Sequence, residues 1–118
     1  VCQMMDQVRV AVTQLRSGND REINFQMCSK LVAEAAEQKC SMVFFPECFD
    51  WIDDADPSIP PEVYFSQFET LQGPLLQRYC QLARTHSIWL SLGGFHEIAP
   101  SGVKLFNTHL VVDTSGTV

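Results

Sequence analysis

Residues 41–49, Ser41-Met42-Val43-Phe44-Phe45-Pro46-Glu47-Cys48-Phe49, decide the fold. Met42, Val43, Phe44 and Phe45 form a continuous apolar run too short for a helix. Runs of this kind mark strands covered on both faces, as in parallel sheets flanked by helices. Pro46 ends the run: it has a fixed φ and no N–H to give, and it pushes Phe45 into extended geometry. Glu47 is therefore held at the C-terminal end of a buried strand.

Upstream, Val8, Val10 and Val12 alternate with Arg9, Ala11 and Thr13, which predicts a first strand over residues 8–15. Ser17-Gly18-Asn19-Asp20 breaks that pattern, and Asn19 or Asp20 can cap a following helix whose dipole is favoured by Glu22. From Ile23 the apolar residues Ile23, Met27, Leu31 and Ala35 step by four, with Cys28, Val32 and Ala36 in an adjacent row. This predicts one broad buried helix face ending near Gln38 or Lys39. Strand, helix and strand make a βαβ unit, which closes right-handed in nearly every known case.

Downstream, residues 50–61 read as an acidic, solvated loop with Pro57, Pro60 and Pro61. Its Asp50, Asp53, Asp54 and Asp56 lack the spacing and glycine of an EF-hand. A second helical region has its better half from Gly73-Pro74, with Pro74 in the first turn and Leu75, Leu76, Tyr79, Cys80, Leu82 and Ala83 at helical spacing. Ile88-Trp89-Leu90-Ser91-Leu92 predicts a third strand ended by Gly93-Gly94. After a turn at Pro100-Ser101-Gly102, the residues Phe106, Thr108, Leu110 and Val112 alternate along a fourth strand that stops at Asp113-Thr114-Ser115-Gly116. The order βαβαββ is that of an α/β domain whose last strands join by a hairpin-like connection.

The chain has 118 residues, 46% hydrophobic and 19% charged, which allows one globular domain. A net charge of −6 without a basic stripe argues against nucleic acid and against docking on an anionic membrane. No apolar run nears the roughly eighteen residues of a membrane span, and no export leader is visible. With Val at position 1, the sequence reads as cut from something longer. The five cysteines, Cys2, Cys28, Cys40, Cys48 and Cys80, are odd in number and include no Cys-x-x-Cys pair. Free thiols in a reducing, cytoplasmic setting fit this pattern, with a mitochondrial site open if a targeting segment precedes residue 1. The three histidines lack the spacing of zinc ligands.

Glu47 is the candidate with the clearest chemistry. Ligands of open α/β sheets bind beyond the carboxyl ends of the strands, and apolar neighbours would disfavour its charged form, which suits a general base. A strand-end Glu can equally be a solvated acid, and the residues alone leave both readings open. Cys48 lies beside it, but in extended chain consecutive side chains point to opposite faces, so a structural thiol is the better reading. Cys28 and Cys80 sit on helical apolar faces. His96-Glu97, after Gly93-Gly94-Phe95, stands at another strand end, where the imidazole could orient a group or simply be hydrogen-bonded. Gly93-Gly94 has neither the spacing nor the helix of a phosphate loop. His86 lies at a helix end and His109 on the polar side of the fourth strand, neither with a partner evident in the sequence.

Taken in order, these pieces resemble the N-terminal part of the nitrilase, or carbon–nitrogen hydrolase, superfamily. The matching stretches are Val8-Arg9-Val10-Ala11-Val12-Thr13-Gln14, Phe44-Phe45-Pro46-Glu47, Leu92-Gly93-Gly94-Phe95-His96-Glu97, and Phe106-Asn107-Thr108 followed by Asp113-Thr114-Ser115-Gly116-Thr117-Val118. Pro46-Glu47-Cys48-Phe49-Asp50 and Ser91-Leu92-Gly93-Gly94-Phe95-His96-Glu97 look most like the Nit1 branch, the deaminated-glutathione amidases, which some animals fuse to a Fhit domain. The resemblance implies that residues 6–118 are the N-terminal portion of a four-layer αββα sandwich that associates into homo-oligomers. It also implies an amidase acting on a small-molecule amide, without metal or organic cofactor. In the family's chemistry a Cys attacks the carbon, a Glu takes its proton and a Lys steadies the tetrahedral intermediate.

That resemblance assigns Glu47 the general-base role. The family's Lys and Cys fall after the turn that matches residues 113–118; Lys104 precedes the fourth strand, and none of the five cysteines matches the nucleophile. The chain alone is therefore expected to show no turnover, since losing part of a cooperating set costs nearly as much as losing all of it. Half a sandwich also leaves an apolar sheet face uncovered, so self-association is expected. The alternative reading is a non-catalytic, truncated product that acts by protein association. A flavodoxin-like binding module fits less well, because no Gly-rich or Ser/Thr-rich loop follows the first strand beyond Ser17-Gly18.

Overall fold

The computed structural model describes residues 7–53 and 56–118. The elements, in chain order, are β1 (Val10–Val12), α1 (Arg21–Glu37), β2 (Met42–Phe45), α2 (Pro61–Phe65), α3 (Pro74–His86), β3 (Trp89–Ile98) and β4 (Leu105–Val112). The four strands form one sheet in the order β1-β2-β3-β4. The first three are parallel, and β4 returns antiparallel to β3.

Sheet register explains which side chains are buried. Ala11, Val43, Leu90 and Val112 lie side by side across the sheet, and Phe45, Leu92 and Leu110 form the next row on the same face. That face packs on Cys28, Val32 and Ala35 of α1 and on Leu76, Tyr79, Cys80 and Ala83 of α3, giving one core. Fully burying a Val, Leu or Phe contributes about 1.5–3 kcal/mol each before chain entropy is subtracted. Phe45, Phe49, Tyr79 and Phe95 form its aromatic centre, with ring centroids 5.3–6.4 Å apart in contacting pairs.

Between these rows, the residues that point to the other face are Val10, Met42 and Trp89, then Val12, Phe44, Ser91 and Val111. Val12 is 82% exposed, Trp89 44% and Val111 42%. One face of the sheet thus carries both long helices and the other is open and largely apolar. Its polar feature is the Ser91 hydroxyl, 2.9 Å from Nε2 of His109, which gives His109 a partner that its sequence neighbours did not suggest.

Helix ends follow their caps. Asp20 caps α1, its carboxylate accepting from the N–H groups of Glu22 and Ile23. Helix α3 begins with Pro74 at its first turn, and the Glu69 carboxylate accepts from Leu76 N in place of an N-cap side chain. Its buried residues are the six expected from spacing.

Four sequence expectations need correction here. Strand β1 is only three residues long, because β2 pairs with Val10, Ala11 and Val12 alone. On α1 the deeply buried row is Asn24, Cys28, Val32 and Ala35, while Ile23 is 55% exposed. The buried stripe begins with a polar residue because Asn24 donates from Nδ2 to the carbonyls of Gly18 and Asp50. Gly93-Gly94 does not end β3, which continues to Ile98 through a bulge between Leu92 and Phe95. Finally, extended geometry does not persist past Pro46: the chain turns, and Cys48 adopts φ +57°.

Candidate active site

Glu47 leaves the sheet at the C-terminal end of β2, an inner strand flanked by β1 and β3. The bulge in β3 is shaped around it. At Gly93, a Cβ would fall 2.6 Å from the Phe45 carbonyl oxygen, so the backbones of β2 and β3 approach here with no room for a side chain. At Gly94, φ is +96°, and a Cβ would fall 3.0 Å from Glu47 Cγ and 2.8 Å from Asn107 Oδ1. The two glycines open a gap in which two side chains from different elements meet. Asn107, in the middle of β4 opposite His96, donates from Nδ2 to Glu47 Oε1 at 2.5 Å. Both side chains stand at the surface of this chain.

Behind Glu47, a second polar cluster fastens the turn. Asp50 is buried, 1% exposed, which corrects its reading as part of a solvated loop. Its Oδ2 accepts from Arg21 Nη2 at 2.7 Å and from the backbone N–H of His96 at 3.3 Å, and its Oδ1 lies 2.8 Å from His96 Nδ1. A carboxylate tolerates such burial only when paired and hydrogen-bonded. The Arg21 guanidinium also lies over the rings of Phe68 and Phe95, at 5.3 and 5.5 Å, and the His96 ring stacks on Phe68. His96-Glu97 is therefore inside β3 rather than at a strand end, and the imidazole faces Asp50 while Thr108 Oγ1 donates to Glu97 Oε2. The remaining acids differ: Asp56 turns back to accept from Ser58 N, and Asp54 lies outside the described residues.

The thiols are structural in their electrostatics. Burial pushes Cys28 up to about 11 and raises Cys80. Cys48 is raised by burial first and then by the charges of Glu47 and Asp50, so the thiol beside the acid stays protonated. Cys2 lies outside the described residues. Lys104 is in the β3–β4 turn, with its ammonium 5.1 Å above the Phe106 ring. Among the described residues, no group of three or more His, Cys, Asp or Glu side chains could hold a metal ion, and no helix is long and apolar enough to cross a membrane. A groove of about 470 Å³ between α2 and the β3–β4 hairpin, lined by Phe65, Phe68, Ile98 and Val103 among others, does not include Glu47.

Compared with known families, residues 9–118 match the model of the carbon–nitrogen hydrolases. The chain belongs to the carbon–nitrogen hydrolase family. It is 40% identical over 113 residues to the nitrilase and fragile histidine triad fusion protein NitFhit of Caenorhabditis elegans, covering 91% of this chain and 23% of that protein. The human deaminated glutathione amidase is 42% identical over 112 residues, covering 92% of this chain and 33% of the relative. This carbon–nitrogen hydrolase chain thus spans about a third of the length of that amidase. The crystal structure of the Caenorhabditis elegans NitFhit protein superposes with a TM-score of 0.77 at 37% identity, covering 93% of this chain and 27% of that one. The nitrilase-type fold expected from the sequence is thereby shown, and this chain carries one sheet with its helix layer.

Two features of this hydrolase chain escaped the sequence reading. Asp50 had no visible signal, because its partners lie 29 residues before it and 46 after it. Asn107 had one: Asn is depleted in strand interiors, and it sits between Phe106 and Thr108 in the middle of β4.

Proposed function

We propose that this chain is the acid-bearing portion of an amidase in which Glu47 is the general base. The observation that carries this reading is the position of Glu47 at the carboxyl end of an inner parallel strand, the place where α/β sheets present groups to ligands. In the reaction a Cys thiol gives its proton to Glu47 as its sulfur bonds the amide carbon. A Lys stabilises the resulting oxyanion. As the C–N bond breaks, Glu47 returns the proton to the leaving amine. Water then attacks the thioester, giving the acid and freeing the thiol. Neither the Lys nor the Cys of this scheme is assigned to any of the 118 residues.

The substrate we propose is deaminated glutathione, supported by 40% or higher identity to mammalian amidases carrying that name. Fusion to a Fhit domain in the parent is supported by similarity to the two NitFhit proteins. The test is Glu47→Gln in the full-length protein, which should abolish amide hydrolysis while the circular dichroism spectrum stays unchanged. Retained hydrolysis sinks the general-base assignment.

A second reading, association without catalysis, is favoured by the open face that exposes Val12, Phe44, Trp89 and Val111. The transcript separates the two. A frame continuing past residue 118 into a Lys motif and a strand-end Cys supports the amidase.

A further inference from the structure

We infer that Asn107 is a positioning residue that divides the labour of the Glu47 carboxylate, holding Oε1 so that Oε2 is the oxygen that exchanges the proton. This rests on the general-base reading of Glu47 given above.

The geometry carries it in three steps. A carboxylate only accepts, so the Asn107 amide must turn its NH₂ to Glu47 and its Oδ1 away. The carbonyl side then points at residue 94, where a Cβ would fall 2.8 Å from Oδ1, so the glycine at 94 is what admits this orientation. Oε1 takes the bond from Nδ2, and among the described residues Oε2 receives no hydrogen bond. A general base that can rotate presents either oxygen at any angle. One fixed by a charge-assisted bond presents a single free oxygen in a single direction.

The alternative, that the bond merely tethers the turn, is answered by the rest of the network. The backbone after Glu47 is already fastened through Asp50 to Arg21 and His96, through the Asp50 carbonyl to Asn24, and through the Phe49 carbonyl to the Ser17 hydroxyl. What those contacts leave unfixed is the Glu47 side chain itself. Water competes for both of these exposed side chains, so the bond adds little stability and its consequence is orientation.

The experiment compares Asn107→Ala, Asn107→Asp and Glu47→Gln in the full-length enzyme, reading kcat and KM for amide hydrolysis across pH. Asn107→Ala should lower kcat up to about 100-fold with KM within about twofold. Asn107→Asp keeps the shape but replaces the donor by an acceptor facing a carboxylate. It should be worse than Ala at neutral pH and recover towards acid, where the new carboxyl carries a proton and donates in the amide's place. A structural role gives the reverse order, with the isosteric Asp milder than Ala and no acid recovery, and would overturn the inference. Wild-type kinetics in both Asn107 variants while Glu47→Gln is inactive overturns it too and leaves Glu47 as the base. An active Glu47→Gln removes the base and this inference together. Should Asn107→Asp fail to fold, the split between kcat and KM in Asn107→Ala decides.

Discussion

The Asp50 carboxylate holds His96 twice, through the backbone N–H at 3.3 Å and through Nδ1 at 2.8 Å. Asp50 follows Glu47 by three residues and His96 follows Gly94 by two. The pair therefore ties the turn that carries the acid to the strand bulge that makes room for it.

Removing that carboxylate should be costly. In Asp50→Ala, Arg21, whose side chain is 15% exposed, loses its ion pair in a mostly buried setting. Such losses run to about 3 kcal/mol or more, and urea unfolding should show a correspondingly lower midpoint. An unchanged midpoint would mean that Arg21 finds water instead.

Two glycines with similar backbone should respond differently. Gly94 and Gly102 have φ of +96° and +75°, but only Gly94 is hemmed in by Glu47 and Asn107. Gly102→Ala should cost about 1 kcal/mol, from the left-handed backbone alone. Gly94→Ala adds steric conflict and, on the proposed amidase reading, should lower amide hydrolysis by the full-length protein well beyond its loss of stability. Equal activities in the two variants would separate the bulge from the acid.

Alkaline pH should destabilise the core through Cys28. Its thiol ionises near 9.0 when unfolded and at about 11 when folded, so above pH 9 the unfolded chain sheds a proton that the folded chain keeps. The contribution is complete below pH 9 and fades as pH rises through 11, amounting to about 2–3 kcal/mol. Urea midpoints at pH 8.5 and 11 should differ less in Cys28→Ala than in the unmutated protein. Identical slopes would place the alkaline sensitivity elsewhere.

Much of the architecture could be read from local pattern. The run Met42–Phe45 and the six buried positions of α3 depend on neighbours within a few residues, and periodicity captures such positions. Gly-Gly normally breaks a strand, which sets the predicted end of β3 at Leu92, whereas here pairing resumes beyond the bulge, with Phe95 opposite Thr108. Glu47 could be singled out because strand end and proline are adjacent in sequence. Asp50 could not, since the burial of a carboxylate is decided by a cation and an imidazole far along the chain. Asn107 carried a faint sign in its unsuitability for a strand, but its contact spans 60 residues.

The strands lie side by side in the order in which they are synthesised. Each new strand adds to a free edge, and none has to be inserted between two already paired. A chain emerging from the ribosome can therefore lay down this sheet progressively, β1 with β2, then β3, then β4, without undoing earlier contacts. The partner of Glu47 arrives with the last of these strands, so the Asn107–Glu47 hydrogen bond can form only once β4 has joined β3.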